Sequence, residues 1–369
     1  MAAITQLQSS DGKPASMGFH YPKQKQIPPD SIGIDRILVS FLFSPINPQD
    51  LLVLAGRYPV KPLHTLDNQP VLGYDGVACV EAVGPLTNAD QTHIRPGDFV
   101  VPRRHGLGTW RSQAILSVTD VIPLSPTEDL LGASLLRMAF LPAYLLVEDM
   151  RDLKPGDWII QNAGSGTIAR LVAQFARLKG VRTCSVVRDR EGSAFDALKA
   201  DLQSQGVEIV INEDDLAKHG TQASVELADA AAQGRIVLAI DAVFGESGER
   251  LANALSRGGT YVNYGSLGGA SRIIGLSQRL LFWSEVKFRN FRLSEQLKGR
   301  TAAEQESLLL WFQDLLSRGL LRTPPVEIVR VPRDVQGRDE FERRVKGAVT
   351  AGPANEVGRV KQVLQFGRI

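Results

Sequence analysis

Cysteine is nearly absent. The 369 residues hold two, Cys79 and Cys184, which excludes a disulfide framework. Both sit in apolar, strand-like runs, so buried reduced thiols and an intracellular protein are expected. No apolar run reaches the roughly 18 residues of a membrane-spanning helix, and the first residues lack the apolar stretch of a secretory signal. Charge of one sign is also lacking: 42 Lys and Arg stand against 40 Asp and Glu, a net charge of +2. With no basic run, neither a nucleic-acid partner nor a membrane surface is indicated. There is no internal repeat and no low-complexity segment. Residues 1–30 hold three Lys, two Asp and no Arg, a poor match to an Arg-rich transit peptide. Residues 1–26 carry few large apolar side chains and are expected to be a flexible lead-in.

What is present is enough apolar matter for two cores: 43% of the chain is hydrophobic, and the length exceeds one typical domain. From about 32 to 123 the pattern is of short strands broken by Gly and Pro, at 37–43, 77–83, 99–101 and 112–118, without a strong helical repeat. Pro96-Gly97-Asp98 and Pro155-Gly156-Asp157 mark tight turns feeding strands. From Ala133 onward strands and helices alternate. Strands are expected at 158–163, 181–187, 208–211, 236–241, 260–264 and 287–293, and helices at 165–179, near 191–204, 222–232 and 246–256, and at 302–317. That alternation predicts a doubly wound parallel sheet. The tail from Val326 is expected to return to strands and turns and to rejoin the first domain.

The stretch Asp157-Trp-Ile-Ile-Gln-Asn-Ala-Gly164-Ser-Gly166-Thr-Ile-Ala169 carries the most chemistry. An apolar strand enters a glycine-bearing turn and then a helix with Ile168, Leu171, Val172, Phe175, Ala176 and Leu178 at helical spacing, ending at Gly180. Such a turn presents backbone N–H groups and a helix N-terminus to a dinucleotide pyrophosphate. Arg188-Asp189-Arg190 closes the next strand. An NAD site usually has an acidic residue there to accept from the ribose 2′-OH, whereas guanidinium donors suit a 2′-phosphate. The cofactor predicted is NADPH.

Asn47-Pro-Gln-Asp50, Gly56-Arg-Tyr58, Gly106-Leu-Gly-Thr-Trp110-Arg111, Gln161-Asn-Ala163, Val187-Arg-Asp-Arg190 and Tyr264-Gly265 together carry a family resemblance running from Asn47 to Phe366. The chain resembles the zinc-independent branch of the medium-chain dehydrogenase/reductase superfamily, and within it the mitochondrial 2-enoyl thioester reductases. The resemblance implies an α/β fold in which a GroES-like, β-rich catalytic domain (1–137) is followed by a Rossmann cofactor domain (138–305), with 306–369 returning to the first. It implies NADPH-dependent reduction of the C2=C3 double bond of trans-2-enoyl thioesters, on CoA or an acyl carrier protein, in fatty acid synthesis. A quinone or enone reductase, or a trans-acting enoyl reductase of polyketide metabolism, is the alternative. A binding module that keeps the nucleotide fold without turnover is a third reading, disfavoured by the joint presence of the tyrosine, the glycine turn and both arginines. The location implied is mitochondrial, or cytoplasmic if the N-terminal segment is no transit peptide. The assembly implied is a homodimer through edge strands near 260–264 or 287–293.

By the same resemblance Tyr58 is the proton donor, and a phenol is protonated at neutral pH without activation. Ser165, Gly166, Thr167 and Ile168 are assigned to the pyrophosphate, and Arg188, Asp189 and Arg190 to the 2′-phosphate. Tyr264, Gly265, Ser266 and Leu267 are assigned to the nicotinamide half. Phe291, Arg292 and Leu293 match a later cofactor-facing segment, and Lys361 a C-terminal lysine. Trp110 and Arg111 are read as structural, and the Asn47 amide as a support of the loop that bears the site. Zinc-containing relatives place Cys and His/Glu ligands where this chain has Gly73-Tyr74-Asp75-Gly76, and His20, His64, His93, His105 and His219 are scattered, so no metal is expected. Two departures leave the substrate open: Ala139-Phe140 stands where the family has Asn-Pro, and Phe291-Arg292-Leu293 where it has Phe-Trp-Leu.

Overall fold

The segment Arg36–Pro45 reads RILVSFLFSP and is buried on both faces, so both edges of its backbone need partners inside the protein. In the computed structural model it pairs antiparallel with Val77–Val83, Gln113–Ser117 and, near its end, Lys361–Gln365. The sheet built around it runs Val326–Arg330, Lys361–Gln365, Arg36–Pro45, Val77–Val83, Phe99–Pro102, Val121–Pro123. The structure describes residues 2–7, 16–21, 27–28, 31–87, 94–190, 192–269, 271–332, 335–350 and 360–366; His93 and residue 191 lie outside them. The described residues form two compact units, one drawn from 1–138, 306–317 and 325–369, the other from 139–305 and 318–324.

The first unit corrects three sequence expectations. A helix, Pro48–Leu54, lies within the stretch read as short strands without a strong helical repeat, opened by Asn47 with proline at its first position. The tail is not only strands and turns: Arg338–Thr350 is helical, with Phe341, Val345 and Val349 buried. That four-residue spacing among charges is a helical stripe. The N-terminal residues are not all a loose lead-in. Ala3–Leu7 pairs antiparallel with Ser16–His20, Ile4 is buried, its N–H donates to the Trp110 carbonyl at 2.8 Å, and its carbonyl accepts from Leu72 N at 3.0 Å. Residues 8–15 and 22–26 lie outside the described residues. Few apolar side chains suffice there because backbone pairing supplies the rest.

The second unit is the doubly wound sheet. Six strands, all parallel, run in the order Ile209–Asn212, Arg182–Val187, Trp158–Gln161, Ile236–Asp241, Thr260–Asn263, Lys287–Asn290. Reversal of the winding beside the first strand of the unit is the switch point at which open α/β sheets bind ligands. Helices Thr167–Leu178, Ser193–Ser204, Val225–Ala232 and Glu246–Asn253 connect the strands. Leu141–Glu148, which the sequence pattern left without an element, packs on Thr167–Leu178 through a Tyr144–Phe175 edge contact at 5.5 Å. Its even hydrophobicity shows no polar face to reveal a helical period. The strand expected at 287–293 stops at Asn290, and Leu293 opens a short helix. Thr260–Asn263 is an inner strand, so Lys287–Asn290 is the edge on that side among the described strands.

Candidate active site

In the first unit the helix Pro48–Leu54 ends at Ala55, and Gly56 follows at φ +69°, its N–H on the Val53 carbonyl at 2.9 Å. This reversal folds the chain back so that Tyr58 N–H reaches the Leu52 carbonyl at 3.1 Å. The Tyr58 ring stands edge-on to Tyr74, centroids 5.6 Å apart, and the Tyr74 hydroxyl donates to the Val60 carbonyl at 2.6 Å. The loop is thereby clamped on both sides of Tyr58, while the Tyr58 hydroxyl makes no hydrogen bond among the described residues. Burial, then the Asp50 carboxylate, raise its pKa, and Arg137 opposes them. It stays a donor at neutral pH.

Beneath it lies a polar cluster. Asn47 N–H donates to Asp50 Oδ2 at 2.8 Å, tying the start of the helix to its first turn. Lys361 Nζ, from the last described strand, donates to Asn47 Oδ1 at 2.6 Å and to the Ile46 carbonyl at 3.4 Å. Asp75, fully buried, accepts from Gly76 N at 3.0 Å and Met138 N at 3.1 Å. Burial pushes both Asp50 and Asp75 up to about 7 and Lys361 down to about 8. Lys361, assigned from the sequence to the cofactor, thus sits in the unit that carries Tyr58. Asn47 thus joins the first turn of the helix to Lys361. Trp110 is wholly buried, with its indole N–H on the Pro45 carbonyl at 3.2 Å, and Arg111 donates to the Leu107 carbonyl at 3.0 Å. Gly73, at φ +95°, admits no side chain, since a Cβ there would lie 2.3 Å from Trp110 Cδ1.

In the second unit the strand Trp158–Gln161 ends in a turn where Ala163 adopts φ +48° and Gly164 N–H bonds the Val186 carbonyl at 2.9 Å. A Cβ on Gly164 would lie 2.7 Å from Ser185 Cβ, so the glycine is what lets the turn lie on the neighbouring strand. Gly166 caps Thr167–Leu178 with no side-chain hydrogen bond. Its first-turn N–H groups at Thr167 and Ile168 are therefore left for a ligand. Ser165 offers its carbonyl to Arg170 Nε at 3.0 Å. Arg188 is exposed and Arg190 part-buried at the end of Arg182–Val187, and Arg190's pKa is lowered by burial and by the nearby Arg188 and Arg170. Asp189 turns away to accept from Asp214 N at 3.0 Å. The chain has a third cation that the motif did not reveal: Arg170, buried, bridges Ser165 and Asp201 and has a buried Nη1 without a partner. Arg190 thus lies near both Arg188 and Arg170, a gathering of guanidinium groups of the kind that suits a phosphate.

Tyr264, Gly265, Ser266 and Leu267 follow Thr260–Asn263. Tyr264 N–H donates to the Asp241 carbonyl and Leu267 N–H to the Ala242 carbonyl, each at 2.9 Å. A Cβ on Gly265 would meet the Ala242 carbonyl oxygen at 2.8 Å. Phe291 is buried with its N–H on the Asn263 carbonyl at 2.8 Å, while Arg292 points outward and pairs with Glu295 at 3.6 Å. The structure thus gathers 165–168, 188–190 and 264–267 at the carboxyl ends of the strands, and leaves the Arg292 side chain at the surface. Asn162, in a recognised block but unassigned, pins the turn: its amide donates to Asp241 Oδ1 at 2.6 Å and its oxygen accepts from Ala242 N at 2.8 Å.

Cys184 is buried and its thiol pushed up to about 12; Cys79 is only part-buried, its thiol raised too. Among the described residues no group of three or more His, Cys, Asp or Glu gathers as a metal ion needs, and no helix is long and apolar enough to cross a membrane.

The charged cluster sets a pH dependence of stability. Asp50 and Asp75 hold protons to about pH 7 when folded, against an ordinary value of 3.8. The folded chain therefore binds more protons than the unfolded one from pH 4 to 7, and stability falls as pH rises through that window. Lys361 acts oppositely: its folded value of about 8 lies below the ordinary 10.5, so its contribution grows from pH 8 to 10. Asp50→Asn removes one of two similar carboxyls and is expected to shrink the decline between pH 4 and 7 by roughly half. Urea midpoints across that range measure it, and an unchanged decline would show that Asp50 is not a source.

No protein-family model matches the chain. Human mitochondrial enoyl-(acyl-carrier-protein) reductase is 36% identical over 288 residues, 78% of this chain and 73% of that protein. The Caenorhabditis elegans protein of the same name is 31% identical over 265 residues, 72% of this chain and 71% of that one. Among solved structures, the complex of Etr1p with NADP and crotonyl-CoA has a TM-score of 0.81 at 23% identity, over 99% of this chain and 100% of that one. A putative NADPH:quinone reductase from Bacillus thuringiensis has a TM-score of 0.74 at 22% identity, over 98% of each chain. The two structures share the fold, a GroES-like unit with a Rossmann unit, and the sequence relatives settle the branch: the chain belongs to the mitochondrial enoyl-(acyl-carrier-protein) reductase family of the medium-chain dehydrogenase/reductase superfamily.

Proposed function

We propose that this chain reduces the C2=C3 double bond of trans-2-enoyl thioesters, on CoA or a carrier protein, with NADPH. The observation that carries the reading is Tyr58, a protonated phenol held by Gly56 and Tyr74 with its hydroxyl left unbonded among the described residues. Bound at the glycine turn, NADPH would supply hydride. Gly164, Gly166 and the uncapped helix would hold its pyrophosphate, and Arg170, Arg188 and Arg190 its 2′-phosphate. Arg170 extends the assignment made from the sequence. Tyr58 would give a proton to the substrate, and the clamped loop would keep its hydroxyl in place. Fatty acid synthesis and a mitochondrial location rest on the relatives' names.

A homodimer is part of the proposal. Lys287–Asn290 leaves one sheet edge unpaired among the described strands, and the preceding residues Leu281, Phe282 and Trp283 are exposed. Sedimentation is expected to show two copies, with Trp283→Glu shifting the protein to one; a monomeric wild type would exclude the dimer.

Tyr58→Phe is expected to lower kcat on crotonyl-CoA about a hundredfold. Activity on a quinone alone, indifferent to this substitution, would establish a quinone reductase instead. Replacing Arg188 and Arg190 together by alanine removes two charge-assisted contacts and should raise KM for NADPH roughly a hundredfold, with KM for NADH nearly unchanged. Equal effects on both cofactors would sink the 2′-phosphate assignment.

A further inference from the structure

Arg137 has no role in the site as read from the sequence, yet the residue is 3% exposed, and its buried Nε and Nη1 have no hydrogen-bond partner among the described residues. It lies in the π-helical turn Leu136–Phe140, and such turns recur at functional sites. The next residue fixes where that turn lies: Met138 N–H donates to Asp75 Oδ2 at 3.1 Å. Asp75 follows Tyr74, and Tyr74 is the ring against which Tyr58 stands. Asp75 is no ion-pair partner for Arg137. Each of its oxygens accepts a backbone N–H, from Gly76 and Met138, and no carboxylate oxygen among the described residues comes within 4 Å of the guanidinium. His105 adds a second such group, both of its ring nitrogens being buried without partners among the described residues.

A buried, unpaired cation costs several kcal/mol, and Arg137 remains charged at neutral pH, since burial lowers it only to about 10. The groups that face it do not cancel that charge. His105 is pushed down to about 4 by burial and by Arg137 itself, so it is neutral, and Asp75 near 7 is only partly ionised. Asp50 and Lys361 lie further into the cluster with values about 7 and 8. The Arg137 guanidinium, which acts electrostatically on Tyr58, is therefore left with unbonded donors among the described residues.

We propose that Arg137 binds the anionic oxygen that reduction creates on the thioester carbonyl. The inference rests on the reading of the chain as an enoyl thioester reductase. Hydride addition at C3 breaks the C2=C3 π bond and moves an electron pair through C2 onto the carbonyl oxygen, giving an enolate. A proton then goes to C2, the carbonyl re-forms, and the products are the saturated thioester and the oxidised nicotinamide. The negative charge lives on oxygen only between these events. A preorganised guanidinium in a water-poor site stabilises that charge more than the neutral ground state. Arg137 thus complements Tyr58, one holding the charge and the other supplying the proton.

The probe is acetoacetyl-CoA, a thioester that ionises to a stable enolate with its own ultraviolet absorption band, titrated into the full chain without cofactor. Wild type is expected to bind it as the enolate, so that the band appears at a lower pH than for the free probe. Arg137→Gln should lose that shift, and Arg137→Lys, which keeps the charge, should restore part of it. With crotonyl-CoA and NADPH, Arg137→Gln should lower kcat about a hundredfold or more with KM within threefold. A wild type that turns over crotonyl-CoA but binds the probe with no shift overturns the proposal, whether or not the variants fold. So does an Arg137→Gln enzyme that keeps the shift, or one that loses only KM, as a holder of a permanent substrate anion would. A wild type inactive on crotonyl-CoA removes the enoyl reductase reading and this inference with it.

Discussion

Asp241, wholly buried at the carboxyl end of an inner parallel strand, is the contact on which the nucleotide-binding unit depends. One oxygen accepts from the Asn162 amide at 2.6 Å and from Val243 N and Phe244 N, and the other from the Tyr261 hydroxyl. A buried carboxylate is tolerated only when its lone pairs are filled, and here each partner belongs to a different segment at the carboxyl ends of the strands: the glycine turn, the loop after the strand, and the next strand. Gly248 completes the requirement, since a Cβ there would meet Asp241 Oδ2 at 2.3 Å and the Tyr261 hydroxyl at 2.7 Å. The glycines at 164 and 166 shape the turn, but Asn162 on Asp241 holds it against the sheet.

The other unit solves the opposite problem. Asn47, Asp50, Asp75, Lys361 and Arg137 are crowded into a largely buried region, and several of their polar atoms have no partner among the described residues: Asp50 Oδ1, Asn47 Nδ2 and Arg137 Nε and Nη1. A stable core would not be built this way, because each unmet group costs free energy. Strain of that kind gathers where a ligand supplies the missing partners. It surrounds Tyr58, whose backbone and ring are held by the Leu52 carbonyl and the Tyr74 edge while its hydroxyl is unbonded among the described residues.

Much of this was legible in sequence because it is local. Val77–Val83, Ile236–Asp241 and Ala302–Ser317 fall where their periodicity puts them. The glycine turn with its following helix, and the arginines closing the next strand, are spaced within one βαβ unit. The failures have specific causes. Leu141–Glu148 is apolar all round and shows no period; Ala3–Leu7 is too short and mixed to register as a strand. Asp189, part of the motif, is spent on the start of the neighbouring helix at Asp214 N, while Arg170, hidden among apolar helix positions, reaches the turn instead.

By itself the sequence determined the alternation of strands and helices in the second unit, its glycine turn and the arginines that close the next strand, because backbone conformation and the spacing of donors are properties of neighbouring residues. Only the tertiary structure decided which strand is the sheet edge, that Lys361 reaches Asn47 from 314 positions away, and that Arg137 is buried unpaired in the cluster around Tyr58. Such contacts join single polar side chains over long chain separations. They leave no periodic trace, and their energetics arise only when folding removes water from around the charges.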